Sequence, residues 1–140
     1  RWNRSMKVFV EFYTDDISTL ETFYVRTIGM TVTRRLADFV VLEAGAAKIH
    51  ICDRAYLPDS LAWGGLLPKN GSGTEFCFEV NDIRAAYERA IESGYPIEHS
   101  LQAREWGKTD FRLVAPDGVY VRIASARHSP NVYASQELPL

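Results

Sequence analysis

Polar and ionisable side chains interrupt four strand-like segments of the sequence. The segment VFVEFYT carries Glu11, KIHIC carries His50, EFCFEV carries Glu75 and VYVRI carries Arg122. Carboxylate and imidazole groups can exchange protons or ligate a divalent metal ion, and a guanidinium forms ion pairs with carboxylates. Because each residue interrupts an otherwise apolar alternating pattern, each is a candidate for binding or catalysis.

The period of two in these segments gives every strand two faces. In the first segment Val8, Val10 and Phe12 are predicted to face a helix. The opposite face of the four strands carries a mostly polar set: Phe9, Glu11, Tyr13, Lys48, His50, Cys52, Glu75, Cys77, Glu79, Tyr120 and Arg122. A slip of one residue would exchange the two faces, and the regular spacing of the apolar residues argues against it.

Two successive units with the same order of elements position these strands. The first is predicted to comprise a strand over 7–14, a helix, and strands near 30–36, 38–44 and 47–52. Asp15 or Asp16 can cap that helix, and Gly29 can end it.

The second unit repeats the order strand, helix and three strands. It is predicted to begin with a strand over 73–80, followed after its helix by strands near 96–103, 109–115 and 119–124. Asn81 or Asp82 can cap the helix, and Gly94 can end it. The sequence thus predicts one domain over 1–140, with modules at about 7–52 and 74–124 joined by a linker over 53–73.

Composition restricts the environment and the partners of the chain. The net charge is −2 and the sequence contains no uninterrupted Lys/Arg run, which argues against a nucleic-acid partner. No apolar stretch is long enough to span a membrane, and we predict a cytoplasmic protein. Cys52 and Cys77 have no zinc-site spacing and are expected to be reduced thiols.

Three stretches in order, DDISTLETFY, FEVNDI and EWGKTDFRLVAPDGVYVRI, resemble the glyoxalase, bleomycin-resistance and extradiol-dioxygenase superfamily, whose members are also called vicinal oxygen chelate proteins. The resemblance covers nearly all of 7–124 and is strongest to the bleomycin-resistance branch. It implies an α+β fold in which two tandem βαβββ modules form an eight-stranded, cup-like mixed sheet with helices on its outer face.

The resemblance also identifies the positions at which metal-using members hold their ion. These members place one ligand on the first and last strand of each module, which correspond here to Phe9, His50, Glu75 and Arg122. Phe9 has no donor atom, and the permanent positive charge of Arg122 would repel a cation. We therefore expect no metal and no cofactor, with Glu75 as the counter-ion of Arg122 and His50 nearby.

The function implied by the resemblance is metal-free binding of a small molecule. Members of the bleomycin-resistance branch are homodimers that sequester an antibiotic in a cleft between subunits, so an antibiotic or a similar cationic, aromatic ligand is expected here. Carboxylates would receive its cation, and aromatic rings would stack on its flat part. The candidate ligand-binding residues are Phe9, Glu11, Phe39, His50, Glu75, Trp106, Asp110, Tyr120 and Arg122.

Other interpretations of the same residues stay open. The charges can instead cover the solvated face of an open sheet, and Trp106 can be a core or dimer-interface residue. An enzyme with this fold could use Glu75, His50 or Tyr120 for acid–base chemistry. His50 and Cys52 lie about 6.6 Å apart along one strand, which is long for direct proton transfer. A third alternative is a dimeric interaction module without a small ligand.

Overall fold

A computed structural model describes residues 5–56 and 73–126. Most of the predicted linker over 53–73 lies outside these residues. Within them, both modules have the predicted order of elements. None of the described helices is long and apolar enough to cross a membrane.

The first module begins with a strand that is shorter than predicted. Its elements are β1 (Val10–Thr14), α1 (Ile17–Thr22), a π-helical segment (Phe23–Ile28), β2 (Thr31–Leu36), β3 (Phe39–Ala44) and β4 (Ala47–Asp53). The Asp16 carboxylate accepts a hydrogen bond from the Thr19 backbone N–H and caps α1. Gly29 ends the π-helical segment at φ +99°, a backbone angle that other residues rarely adopt.

The second module follows the same plan. Its elements are β5 (Glu75–Val80), α2 (Ile83–Glu92), β6 (His99–Ala103), β7 (Thr109–Val114) and β8 (Tyr120–Ser125). The Asp82 carboxylate accepts a hydrogen bond from the Ala85 backbone N–H, so Asp82 is the cap of the two residues predicted for that role. Gly94 follows the helix at φ +78°.

The eight strands form two four-stranded mixed sheets, in the orders β1-β4-β3-β2 and β5-β8-β7-β6. In each sheet the first strand pairs in parallel with the last strand of its module, and the other pairings are antiparallel. This α+β arrangement of tandem modules confirms the predicted open cup. The cup consists of two separate four-stranded sheets and not one continuous sheet, because no strand pairing joins them within the described ranges.

One apolar core extends across both modules. The π-helical segment contacts α2, and the Thr27 hydroxyl donates to the Ser93 hydroxyl at 3.0 Å. Phe12 on β1 meets Phe76 on β5 edge-to-face, with 5.3 Å between the ring centroids. The helix side of the two sheets is therefore a shared hydrophobic interior, and the opposite sheet faces carry the polar residues.

Most of the predicted facing of side chains is confirmed, with one exception at the start of β1. Phe12 is buried and Val10 packs against the core. Val8 is 84% exposed, so its predicted contact with a helix is wrong. The reason is that β1 begins at Val10, and Val8 precedes the strand pairing that would hold it over the core.

Candidate functional site

The polar face of the first sheet is organised around the carboxylate of Glu11. Tyr13 donates its hydroxyl to one Glu11 oxygen at 2.6 Å, and His50 Nδ1 lies 3.1 Å from the other. The parallel register of β1 and β4 sets Glu11 directly opposite His50. Sequence alternation placed these side chains on one face, and the strand register makes them partners.

The imidazole of His50 lies between two aromatic rings. The Phe9 ring stacks on it with 4.2 Å between centroids, and Phe39 meets it edge-on at 5.0 Å. The Nε2 atom of His50 is buried and has no hydrogen-bond partner. Buried polar atoms in proteins are usually paired, so this unpaired ring nitrogen is an unusual feature of the polar face.

A cavity of about 460 Å³ opens beside the Glu11 cluster. Its lining residues are Glu11, Tyr13, Leu36, Ala37, Asp38, Phe39, Cys52 and Tyr56. Two of them carry carboxylates, three carry aromatic rings and none is basic. The volume lies within the range of about 300–1,000 Å³ that is typical of small-molecule pockets. The arrangement suits a cation with an attached aromatic group, since carboxylates and ring faces both attract positive charge.

The protonation states of the lining residues keep this cavity acidic at neutral pH. The hydrogen bond from Tyr13 is the main cause that lowers the pKa of Glu11 below its ordinary value. Burial acts to raise this pKa, and the contact with His50 lowers it further. The same hydrogen bond raises the pKa of Tyr13 to about 12. Burial and the nearby Glu11 charge raise the pKa of the Cys52 thiol to about 11. The carboxylate is therefore ionised while the phenol and the thiol stay neutral.

The polar face of the second sheet has a different chemistry. Arg122 Nε lies 3.1 Å from Glu75 Oε1, which confirms the predicted ion pair. Arg112 Nε donates to the other Glu75 oxygen at 2.9 Å. Arg122 also donates to the Cys77 sulfur at 3.2 Å. Both oxygens of Glu75 are thus engaged by guanidinium groups.

Asp110 connects this cluster to a third arginine. The Asp110 carboxylate is fully buried and accepts a hydrogen bond from Arg104 Nε at 2.8 Å, with Arg122 Nη1 at 3.6 Å. Neither Asp110 Oδ2 nor Arg122 Nε forms a well-aligned hydrogen bond. Each nevertheless lies close to an oppositely charged group, Asp110 Oδ2 to Arg122 Nη1 and Arg122 Nε to Glu75 Oε1. Buried within the protein, Asp110 supports Arg122 and does not itself reach solvent.

The four positions implied by the resemblance form two contacting pairs, one in each sheet. Phe9 stacks on His50, and Glu75 pairs with Arg122. Among the described residues, no hydrogen bond or ion pair joins the first pair to the second. His50 pairs with Glu11 in its own sheet, and its expected position near Glu75 and Arg122 stays a prediction.

These four residues do not fit a divalent metal ion. Phe9 offers no donor, and the Arg122 guanidinium occupies the space next to the Glu75 carboxylate. Within residues 5–56 and 73–126, no group of three or more His, Cys, Asp and Glu side chains is arranged to hold a metal. We therefore derive no chemical step through a metal at this site.

The remaining predicted residues lie at the edges of the two polar faces. Tyr120 begins β8 opposite Glu75 and is 48% exposed. Trp106 lies in the turn between β6 and β7, is also 48% exposed and does not line the 460 Å³ cavity. Both rings are accessible from solvent, as a stacking role would require.

Several residues of these faces were not among the sequence candidates. Arg112 alternates with buried Phe111 and Leu113 on β7, so the period of two could have identified it. Asp38 and Tyr56 lie in a turn and in a short 3₁₀ helix, where no periodicity applies. The Tyr56 hydroxyl donates to Asp38 at 3.0 Å, and this contact forms one wall of the cavity.

Comparison with known proteins agrees with the observed fold. The sequence profile of the Glyoxalase/Bleomycin resistance protein/Dioxygenase superfamily matches residues 8–123. The chain belongs to this superfamily.

Individual relatives lie in the bleomycin-resistance branch and elsewhere in the superfamily. A bleomycin resistance protein from Klebsiella pneumoniae is 25% identical over 115 residues, which cover 77% of this chain and 82% of the relative. The solved structure of a bleomycin-binding protein complexed with bleomycin aligns with a TM-score of 0.62 at 21% identity, over 88% of this chain and 100% of the other. A superfamily member from Nocardioides aligns with a TM-score of 0.68 at 16% identity, over 91% of this chain and 89% of the other.

Proposed function

We propose that this protein binds a small cationic, aromatic molecule of the bleomycin type and sequesters it without chemical change. The observation that carries the proposal is the 460 Å³ cavity, in which Glu11 and Asp38 supply negative charge and Tyr13, Phe39 and Tyr56 supply aromatic rings. The similarity to a bleomycin resistance protein and to a bleomycin-binding protein supports the same class of ligand.

The proposed site includes both polar faces. Phe9, Glu11, Phe39 and His50 belong to the first sheet. Glu75, Tyr120 and Arg122 belong to the second, with Trp106 at its edge and Asp110 beneath Arg122. We propose that the cleft forms in a cytoplasmic homodimer without a bound metal, where the half-exposed rings of Phe9, Trp106 and Tyr120 would be covered by ligand or partner. That residues 1–140 form a single domain stays a prediction.

Ligand titration tests the role of the acidic cavity. We expect bleomycin to bind the wild-type protein and Glu11→Gln to weaken binding roughly tenfold, about 1.4 kcal/mol, because a carboxylate that meets the cation is lost. Asp38→Asn should weaken binding in the same direction. Glu92→Gln on α2 removes the same charge from an exposed site on the helix side and serves as the matched control. Equal affinity of all four proteins would contradict the proposal.

Recovery of the ligand separates sequestration from catalysis. An acid–base enzyme is the second candidate, and the observation in its favour is His50, whose Nδ1 faces Glu11 while Nε2 has no partner. Glu75 is a weaker candidate base because both of its oxygens meet arginines. We expect the ligand to be recovered with unchanged mass after prolonged incubation. A chemically altered ligand, formed by wild type and not by His50→Gln, would establish the enzyme instead.

A further inference from the structure

A second cavity lies on the helix side, away from the polar faces of both sheets. It has a volume of about 270 Å³, and its lining residues are Ser18, Thr19, Thr22, Phe23, Arg26, Thr27, Ser93, Tyr95 and Pro116. The first module supplies α1 and the π-helical segment, and the second supplies the end of α2 and the turn before β8. A ligand in this cavity would therefore contact both modules.

The base of the cavity is apolar and fixed. The Phe23 ring is 2% exposed and meets the Tyr95 ring with 4.6 Å between centroids. The Tyr95 hydroxyl donates to the Val114 carbonyl at 2.6 Å, which holds the ring in place. Tyr95 and Pro116 offer a surface for a flat apolar group, and the buried Phe23 ring supports Tyr95 from within.

Most hydroxyl groups around the cavity already have partners. Thr27 donates to Ser93, and Ser93 donates in turn to the Ala90 carbonyl at 2.7 Å. Thr22 donates to the Ser18 carbonyl, and Thr19 donates to the Asp16 carboxylate. A ligand thus gains little from these groups, and its polar contact must come from elsewhere.

Arg26 is the charged group of the cavity. It forms no ion pair or hydrogen bond with any other residue in the described part of the chain, and no lining residue is acidic. A guanidinium presents five N–H donors in a planar fork that matches a carboxylate. The π-helical segment that carries Arg26 also carries Phe23, and π-helical turns occur frequently at functional sites.

We propose that this cavity binds a small aromatic carboxylate. The carboxylate pairs with Arg26, and the ring lies against Tyr95 and Pro116. The volume falls just below the range of about 300–1,000 Å³ for drug-sized ligands, which limits the occupant to roughly one ring. Inorganic phosphate fits less well, because it would set a fully polar ion against an apolar base. This site is separate from the acidic cavity, whose proposed ligand carries the opposite charge.

Calorimetric titration with benzoate at neutral pH tests the proposal. We expect benzoate to bind the full chain. Arg26→Gln should weaken benzoate binding at least roughly tenfold, because a charge-assisted hydrogen bond is lost. Thr22→Phe should prevent benzoate binding, because the larger side chain fills the cavity. Arg34→Gln, which alters an exposed arginine on β2, should bind as wild type does. Neutral benzamide reports the contribution of the apolar base alone and should bind much more weakly.

Four results would overturn the assignment. These are equal binding of benzamide and benzoate, unchanged benzoate affinity in Arg26→Gln, unchanged affinity in Thr22→Phe, and no heat of binding by the wild type up to the solubility of benzoate. Bleomycin titration of the same variants keeps the two sites distinct, because loss of the Arg26 site should leave binding at the acidic cavity unchanged.

Discussion

Arg122 is the residue on which the charged cluster of the second sheet depends. Its side chain is 25% exposed and lies against Glu75, Cys77 and Asp110. Burial acts to lower the pKa of Arg122, but the contact with Cys77 and the charges of Glu75 and Asp110 outweigh it and raise the pKa. The guanidinium therefore stays charged and neutralises acids that would otherwise be costly to bury.

Replacing Arg122 with leucine should reduce the free energy of unfolding. Loss of a buried pair typically costs about 3–5 kcal/mol, but Arg104 and Arg112 still neutralise the two acids, so we expect about 1–3 kcal/mol. Urea denaturation measures the change. Arg35→Leu is the control, because Arg35 pairs with Glu21 through two 2.7 Å contacts on the surface and such pairs contribute about 0–1 kcal/mol. Equal losses in the two variants would show that Arg122 is an ordinary surface charge.

At the scale of elements, the sequence predicted what depends on local patterns. Hydrophobic pattern and element order identified the eight strands, and each helix starts at one of its two predicted caps, Asp16 and Asp82. The Glu75–Arg122 pair was predictable because both side chains were assigned to one polar face and the family resemblance places both at metal-ligand positions. The Glu11–His50 pair required the register of β1 on β4, and the Asp38–Tyr56 contact required loop geometry. Neither the strand register nor the loop geometry can be predicted from the local alternation of apolar and polar residues.

The π-helical segment was also not predicted, since its apolar spacing suits an ordinary helix. Its end at Gly29 lies against α2, and a Cβ atom added there would come within 3.0 Å of the Arg89 side chain. We expect Gly29→Ala to cost at least roughly 1–2 kcal/mol, because its φ of +99° lies well beyond the left-handed helical value, whereas the exposed Arg89 side chain can move aside at little cost. Thermal and urea unfolding measure the loss.

Gly45 provides the matched control for that substitution. Its φ is +56°, close to the left-handed helical value, and a Cβ atom there would meet nothing within 4 Å. Gly45→Ala should therefore be the milder change. Equal losses in the two variants would show that the difference in φ between Gly29 and Gly45 has no energetic consequence.

At the scale of the whole molecule, the polar faces of the two sheets are supported by one shared interior. Phe12, Phe23 and Tyr24 of the first module belong to the same buried cluster as Phe111, Leu113 and Val121 of the second. Each polar face lies on the side of its sheet opposite to the helices, and the helix side packs into that cluster. A cavity made in one module should therefore loosen the polar face of the other.

Phe12→Ala tests this coupling, because Phe12 is 8% exposed and meets Phe76 across the junction of the modules. We expect a loss of about 3–5 kcal/mol, as for other large-to-alanine core substitutions, in a single unfolding transition. Hydrogen exchange followed by mass spectrometry should show faster exchange in β7 and β8 as well as in β1 and β4. Phe12→Leu, which keeps most of the side-chain volume, should change both regions less. Faster exchange confined to residues 10–53 would show that the modules open separately and that the two polar faces are energetically independent.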